Sequence, residues 1–181
     1  MGSQPTYLVE IVQCLATDMG YTNASGLGCG GVWIEPNEDG VRYVWRLPWP
    51  EDIMADLVSS KNPQGRITNS DFELAALVLQ EETFTFVSTD PTWRAPLTGS
   101  KNTPTVAWTF LEASTVNPVV ADLLCLRSLV NRQFNITLSV FYHPGTQNTM
   151  ADNGSRNFRC QVEFSRPIVS HSDLCSWVIE N

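Results

Sequence analysis

Basic residues are scarce in this chain. It carries 11 Lys and Arg against 19 Asp and Glu, a net charge of −8, and the basic ones form no cluster. A dedicated nucleic-acid binder shows a basic patch or stripe. Tight autonomous binding of nucleic acid is therefore not expected, although a domain gripped by basic parts of a larger polypeptide remains compatible. Histidine is scarcer still, with only His143 and His171. The five cysteines, at positions 14, 29, 125, 160 and 175, include no Cys-x-x-Cys pair. A zinc site thus lacks its usual ligand spacing, and reduced, mostly buried thiols are expected. No apolar run approaches the ~18 residues of a membrane span. The opening MGSQPTYLVE has neither the basic start nor the apolar run of a secretory signal. These absences predict an intracellular protein, of cytoplasm or nucleus, with no membrane association.

Apolar residues are plentiful at 43%, charged residues make up 17%, and six are Trp. That composition belongs to a folded domain with a substantial aromatic core. The length fits one domain, expected over 1–160, followed by a tail over 161–181 with a short helix near Ser170–Ile179.

Along the chain, residues 7–23 are apolar with β character, and Gly26, Gly28, Gly30 and Gly31 punctuate a tight turn. Gly31–Glu35 and Val41–Leu47 read as two strands joined through Asp39-Gly40, a hairpin signal. Strict alternation puts Val41, Tyr43, Trp45 and Leu47 on one face. Pro48–Gly65 reads as a loop-rich insertion with a short helix near Glu51–Ser59. A helix is expected to start near Ser70, with Phe72, Ala75, Ala76 and Leu79 on one face. Thr83–Thr89 looks β-like, and Pro91–Ser100 irregular or a strand edge. Asn102-Thr103-Pro104 and Asn117-Pro118 are helix starts. The second opens a helix to about Phe134, with Val119, Leu123, Leu126 and Val130 as its stripe. Ile136–Tyr142 reads as a strand and Met150–Arg156 as a helical turn. Early hairpins followed by alternating elements indicate an α/β domain, a mixed sheet flanked by helices.

Four segments then line up in order. Tyr21-Thr22-Asn23-Ala24-Ser25, with the glycines after it, resembles the T-D-A-S first-strand motif of retroelement ribonuclease H domains. Ser70-Asp71-Phe72-Glu73-Leu74-Ala75-Ala76 resembles the start of the family's first helix, which carries a catalytic Glu. Ser100-Lys101-Asn102-Thr103 resembles its S-D-N-T segment. Pro144-Gly145, Asn148, Ala151-Asp152 and Ser155-Arg156 match the closing P-G-x-x-N-x-x-A-D-x-x-S-R. The nearest type is the ribonuclease H part of fungal or protist retrotransposon polyproteins. The resemblance implies a five-stranded mixed sheet, three antiparallel strands first, flanked by helices. It also implies cleavage of the RNA strand of RNA–DNA hybrids by two divalent ions, Mg²⁺ or Mn²⁺.

Two hard cations require three or four converging carboxylates. Carried over by motif, the four site positions are occupied by Asn23, Glu73, Lys101 and Asp152. Glu73 and Asp152 keep the metal-ligating chemistry. Asn23 offers a carbonyl oxygen without charge, and a protonated Lys101 offers no lone pair. The expectation is a degenerate ribonuclease H-like domain, catalytically impaired, acting as a structural or interaction module. Its expected partners are an RNA–DNA hybrid held weakly, a protein partner, or the rest of a reverse transcriptase polyprotein. The alternative is an active two-metal nuclease with its acids misassigned. Lys101 is expected to pair with Glu73 or Asp152 in place of a missing metal charge. Asp18 is too far from Asn23 along an extended strand, about 16 Å, to substitute, and Asp90 is an alternative third ligand. Each residue also has a plain structural role open to it. Ser70 and Glu73 form a capping-box pair, Asp152 suits a cap, Asn23 a turn, Lys101 a solvated surface, and His143 a strand-end loop.

Overall fold

The computed structural model describes residues 18–34, 42–87, 94–111 and 117–156. Strand β1 (Met19–Ala24) turns sharply into β2 (Gly28–Ile34), the turn closed by Ser25 N–H donating to Gly28 O at 2.9 Å. β2 pairs antiparallel with β1 and with β3 (Arg42–Pro48). β4 (Leu97–Ser100) and β5 (Ser139–Tyr142) add in parallel beside β1, giving the order β3-β2-β1-β4-β5. This is the expected α/β architecture, a five-stranded mixed sheet with three antiparallel strands first. Pro91–Ser100 is expected to be irregular or an edge, yet β4 is an inner strand. Its neighbours on both sides, not its own short Leu-Thr-Gly-Ser sequence, make it one. The Asp39-Gly40 hairpin and the tail from 157 onward, including the expected terminal helix, lie outside the described residues.

Gly28 and Gly30 are expected in the turn and Gly31 where the turn passes into the next strand; all three lie within β2. Close approach explains two of them. A Cβ on Gly30 would meet the Gly154 carbonyl carbon at 2.8 Å, and one on Gly31 would collide with Gln80 and Trp45.

The insertion holds one short helix, α1 (Glu51–Ala55). The central helix α2 spans Asn69–Val87. Its cap is Thr68, whose hydroxyl accepts from Asp71 N–H, while Asp71 Oδ2 accepts from Thr68 N–H at 2.7 Å. The capping box therefore joins Thr68 and Asp71, two residues ahead of the Ser70–Glu73 pair that the sequence suggests. The β-like stretch from Thr83 is helical as far as Val87. Thr83 and Thr85 return their hydroxyls to the carbonyls of Gln80 and Glu82, and Phe84 packs on Trp33 at 4.8 Å. Tertiary contact outweighs the weak intrinsic preference of β-branched residues.

α2 is buried on nearly every side. Phe72 and Ala76 join Ala24, Cys29, Trp45 and Trp49 in one core cluster, and Leu77 and Phe84 join Trp33, Ile136 and Leu138 in another. Leu74 meets Val120 and Leu124 of α4 (Pro118–Phe134). Within α4 the buried stripe is Val120, Leu124, Arg127 and Val130, so the expected Leu126 faces outward, 43% exposed. The stripe is displaced because a charged residue belongs to it. Arg127 Nε donates to buried Glu81 at 2.6 Å and its Nη2 to Leu138 O at 2.7 Å. α3 (Thr103–Leu111) follows β4, and α5 (Thr149–Arg156) lies against the opposite sheet face from α2.

Candidate functional site

Alternation along β1 sorts its side chains. Thr22 faces α2, its hydroxyl donating to Ala76 O at 3.3 Å. Asn23 therefore points to the other face, where α5 sits. Its Nδ2 donates to Asp152 Oδ1 at 3.0 Å and to Ser155 Oγ at 2.7 Å. Glu73, one turn into α2, reaches the end of β1, and its Oε2 accepts from Ala24 N–H at 3.1 Å. Lys101 leaves the end of β4 with its stem beside Gly145. Its ammonium stands 3.7 Å from Glu73 Oε1 and 3.6 Å from Asp152 Oδ1. The structure thus brings all four motif positions together.

The surroundings of these four differ. Asn23 and Glu73 are fully buried, whereas the side chains of Lys101 and Asp152 are partly exposed. Burial pushes the Glu73 carboxyl up to about 7, against the pull of the Lys101 ammonium and the Ala24 amide. An ion pair near 4 Å has about 4 kcal/mol of raw attraction at an effective dielectric of about 20. Desolvation of the buried partner offsets much of that. Burial and the nearby Glu73 charge also push the Cys29 thiol well above its ordinary value, which leaves it an inert core group.

Three further residues build the site, and the sequence pattern alone assigns them no role. Arg156 donates its Nε to both Asp152 oxygens, at 3.0 and 3.1 Å. Asn148 ties the segment before α5 to β1 through Thr22 O at 2.9 Å. Ser155 accepts from Asn23, while its carbonyl accepts from Ser25 Oγ at 2.6 Å. All three belong to the closing motif, so the signal is present without a role attached. His143 packs on Tyr21, with ring centroids 4.5 Å apart. Asp18 is engaged elsewhere, by Arg94 Nη2 at 2.6 Å. Asp90 lies outside the described residues.

The motifs imply two divalent ions, and the donor set can be weighed against them. Among the described residues no three His, Cys, Asp or Glu side chains gather in a metal-binding group. Asn23 turns its NH₂ toward Asp152, and Arg156 donates to both Asp152 oxygens. Asn23 Oδ1 and Glu73 Oε1 have no hydrogen-bond partner, but the charge nearest Glu73 Oε1 is the Lys101 ammonium. Glu73 and Asp152 already face the cations Lys101 and Arg156, which would repel a divalent ion at close range. The residues present do not fit a two-metal centre.

No protein-family model matches the chain, and no curated protein does. Solved structures do. The ribonuclease H1 of Halobacterium salinarum NRC-1 is similar with a TM-score of 0.50 and 14% identity, covering 76% of this chain and 92% of that one. LC11-RNase H1 in complex with an RNA/DNA hybrid is similar with a TM-score of 0.53 and 14% identity, again over 76% and 92%. At that identity the likeness speaks for architecture. With the strand order it establishes that this chain has a ribonuclease H-like fold.

Proposed function

We propose that this chain is a ribonuclease H-like domain of retroelement reverse transcriptase origin, of the fungal or protist type, that has lost two-metal catalysis and serves as a structural or interaction module. The observation that carries the reading is the pair of non-acidic residues within the converged site, Asn23 and Lys101. Both hold hydrogen-bond or ion-pair contacts with the remaining carboxylates. Two-metal hydrolysis needs one ion to activate water and one to stabilise the leaving oxygen, and this donor set supports neither. LC11-RNase H1 binds an RNA/DNA hybrid; for this chain hybrid binding is expected to be weak on its own. Its net charge is −8, and Arg66, Arg94, Lys101, Arg127 and Arg156 are all in internal ion pairs. A protein partner, or the rest of a reverse transcriptase polyprotein inside the cell, would supply the missing grip.

The test is cleavage of a labelled RNA–DNA hybrid in Mg²⁺ and in Mn²⁺, beside an Asn23→Asp/Lys101→Asp variant. Cutting by the restored variant alone supports lost chemistry on an intact scaffold. Cutting by the unaltered chain, abolished by Glu73→Ala, establishes the active nuclease instead.

A further inference from the structure

α5 is an eight-residue helix with two apolar side chains, Met150 half-buried and Ala151 buried. Of its buried residues, Ala151, Gly154 and Ser155, only Ala151 carries an apolar side chain. A helix of this kind gains little from burial. Apart from the close backbone seat of Gly154 on Gly30, its attachment to the sheet is polar. Asn23 donates to Asp152 and Ser155, and Ser25 donates to the Ser155 carbonyl. Lys101 carries the attachment beyond the β1–β2 corner. Its ammonium faces Asp152 on one side and buried Glu73 of α2 on the other, from the end of β4. Without it, two carboxylates would be left sharing one site.

We infer that Lys101 is a built-in counter-ion that positions α5 on the sheet by tying Asp152 to the end of β4 and to Glu73 of α2, doing without metal the charge-joining that divalent ions would do between the same carboxylates. This rests on the reading of a site that holds no divalent ions. It assigns Lys101 a positioning role, with α5 as the element it controls. Mg²⁺ has no vacant charge to fill in the unaltered chain, and acquires one only when positions 23 and 101 become acidic.

Amide hydrogen exchange of the full chain, with and without millimolar Mg²⁺, tests this. In Lys101→Met the α5 amides are expected to exchange about tenfold faster while those of α4 are unchanged, because a local tie has been cut without global unfolding. Lys101→Arg, which keeps the charge, retains the protection. Mg²⁺ leaves α5 exchange unaltered in the natural chain and slows it in Asn23→Asp/Lys101→Asp. Intact α5 protection in Lys101→Met overturns the inference, as does slowing of α5 exchange by Mg²⁺ in the natural chain. Should Lys101→Met not fold, that Mg²⁺ comparison still decides. The two readings fail separately. Hybrid cleavage by a chain whose α5 still depends on Lys101 removes the lost-catalysis reading and the metal-free clause resting on it while the positioning role stands, and Mg²⁺-independent α5 protection in Lys101→Met removes the positioning role alone.

Discussion

Asp71 Oδ2 accepts from both the amide and the hydroxyl of Thr68, at 2.7 and 2.8 Å. Asp71 rather than Glu73 thus closes the cap of α2, and Glu73 is released to face the end of β1. Asp71→Ala is therefore expected to cost about 1 kcal/mol or more, the usual worth of a cap. Its second oxygen also accepts from Asn117 Nδ2 at 2.9 Å, which adds to the loss. Urea unfolding checks this. A Thr68→Ala variant as stable as the natural chain would remove Thr68 from the cap.

Glu73 ties stability to pH. Its carboxyl lies at about 7 in the folded chain, against an ordinary value of 4.5, chiefly through burial. A raised acid favours folding while protonated. Its stabilising share is complete below 4.5 and is lost as pH rises through about 7. Glu81 is also pushed up to about 7 by burial, so the comparison must cancel it. Glu73→Gln should lose less stability than the natural chain between about pH 5 and pH 8, an interval bracketing that titration. Lys101→Met should push the Glu73 carboxyl still higher, visible by carbon NMR of the side-chain carboxyl.

Arg127 and Glu81 form a buried pair linking α4 to α2, with a further bond to Leu138 O beside β5. Removing one partner strands the other charge in the core, at a cost of about 3–5 kcal/mol. Arg127→Met should be destabilising on that scale. Glu81→Leu/Arg127→Met should recover a large part of the loss, leaving the Leu138 carbonyl without its Arg127 donor. A double-mutant cycle by chemical denaturation measures the coupling.

Gly30 lies against the backbone of Gly154. Gly30→Ala places its methyl group 2.8 Å from the Gly154 carbonyl carbon, where neither backbone can yield cheaply. A loss of about 1–3 kcal/mol is expected, with α5 amides exchanging faster than the rest. Gly26→Ala, whose nearest neighbour is the Leu57 side chain at 3.2 Å, should cost less.

Much of the fold is legible in local sequence patterns. Asn117-Pro118 opens α4 as those patterns indicate, because Asn117 Oδ1 accepts from Val119 N–H at 3.0 Å and Pro118 needs no amide partner. Alternation in β3 places Tyr43, Trp45 and Leu47 with the clusters under α2. The misreadings share a cause. Thr83 to Val87 look like a strand because β-branched and aromatic residues dominate, and only Trp33 and the helix carbonyls around them decide otherwise. Leu126 looks buried because it is apolar, yet the inward position next to it is taken by Arg127, whose partner Glu81 lies far away in sequence.

The sequence by itself determined which chemical groups reach the site. Ordered motifs put an amide at position 23 and an ammonium at 101, and no folding can turn these into carboxylates. Only the tertiary structure decided how their charges are used. Parallel pairing of β4 with β1, and the seating of α5 on Gly30, bring Lys101 between Glu73 and Asp152. Contacts between segments so distant in the chain depend on sheet register and close packing, which local patterns do not encode.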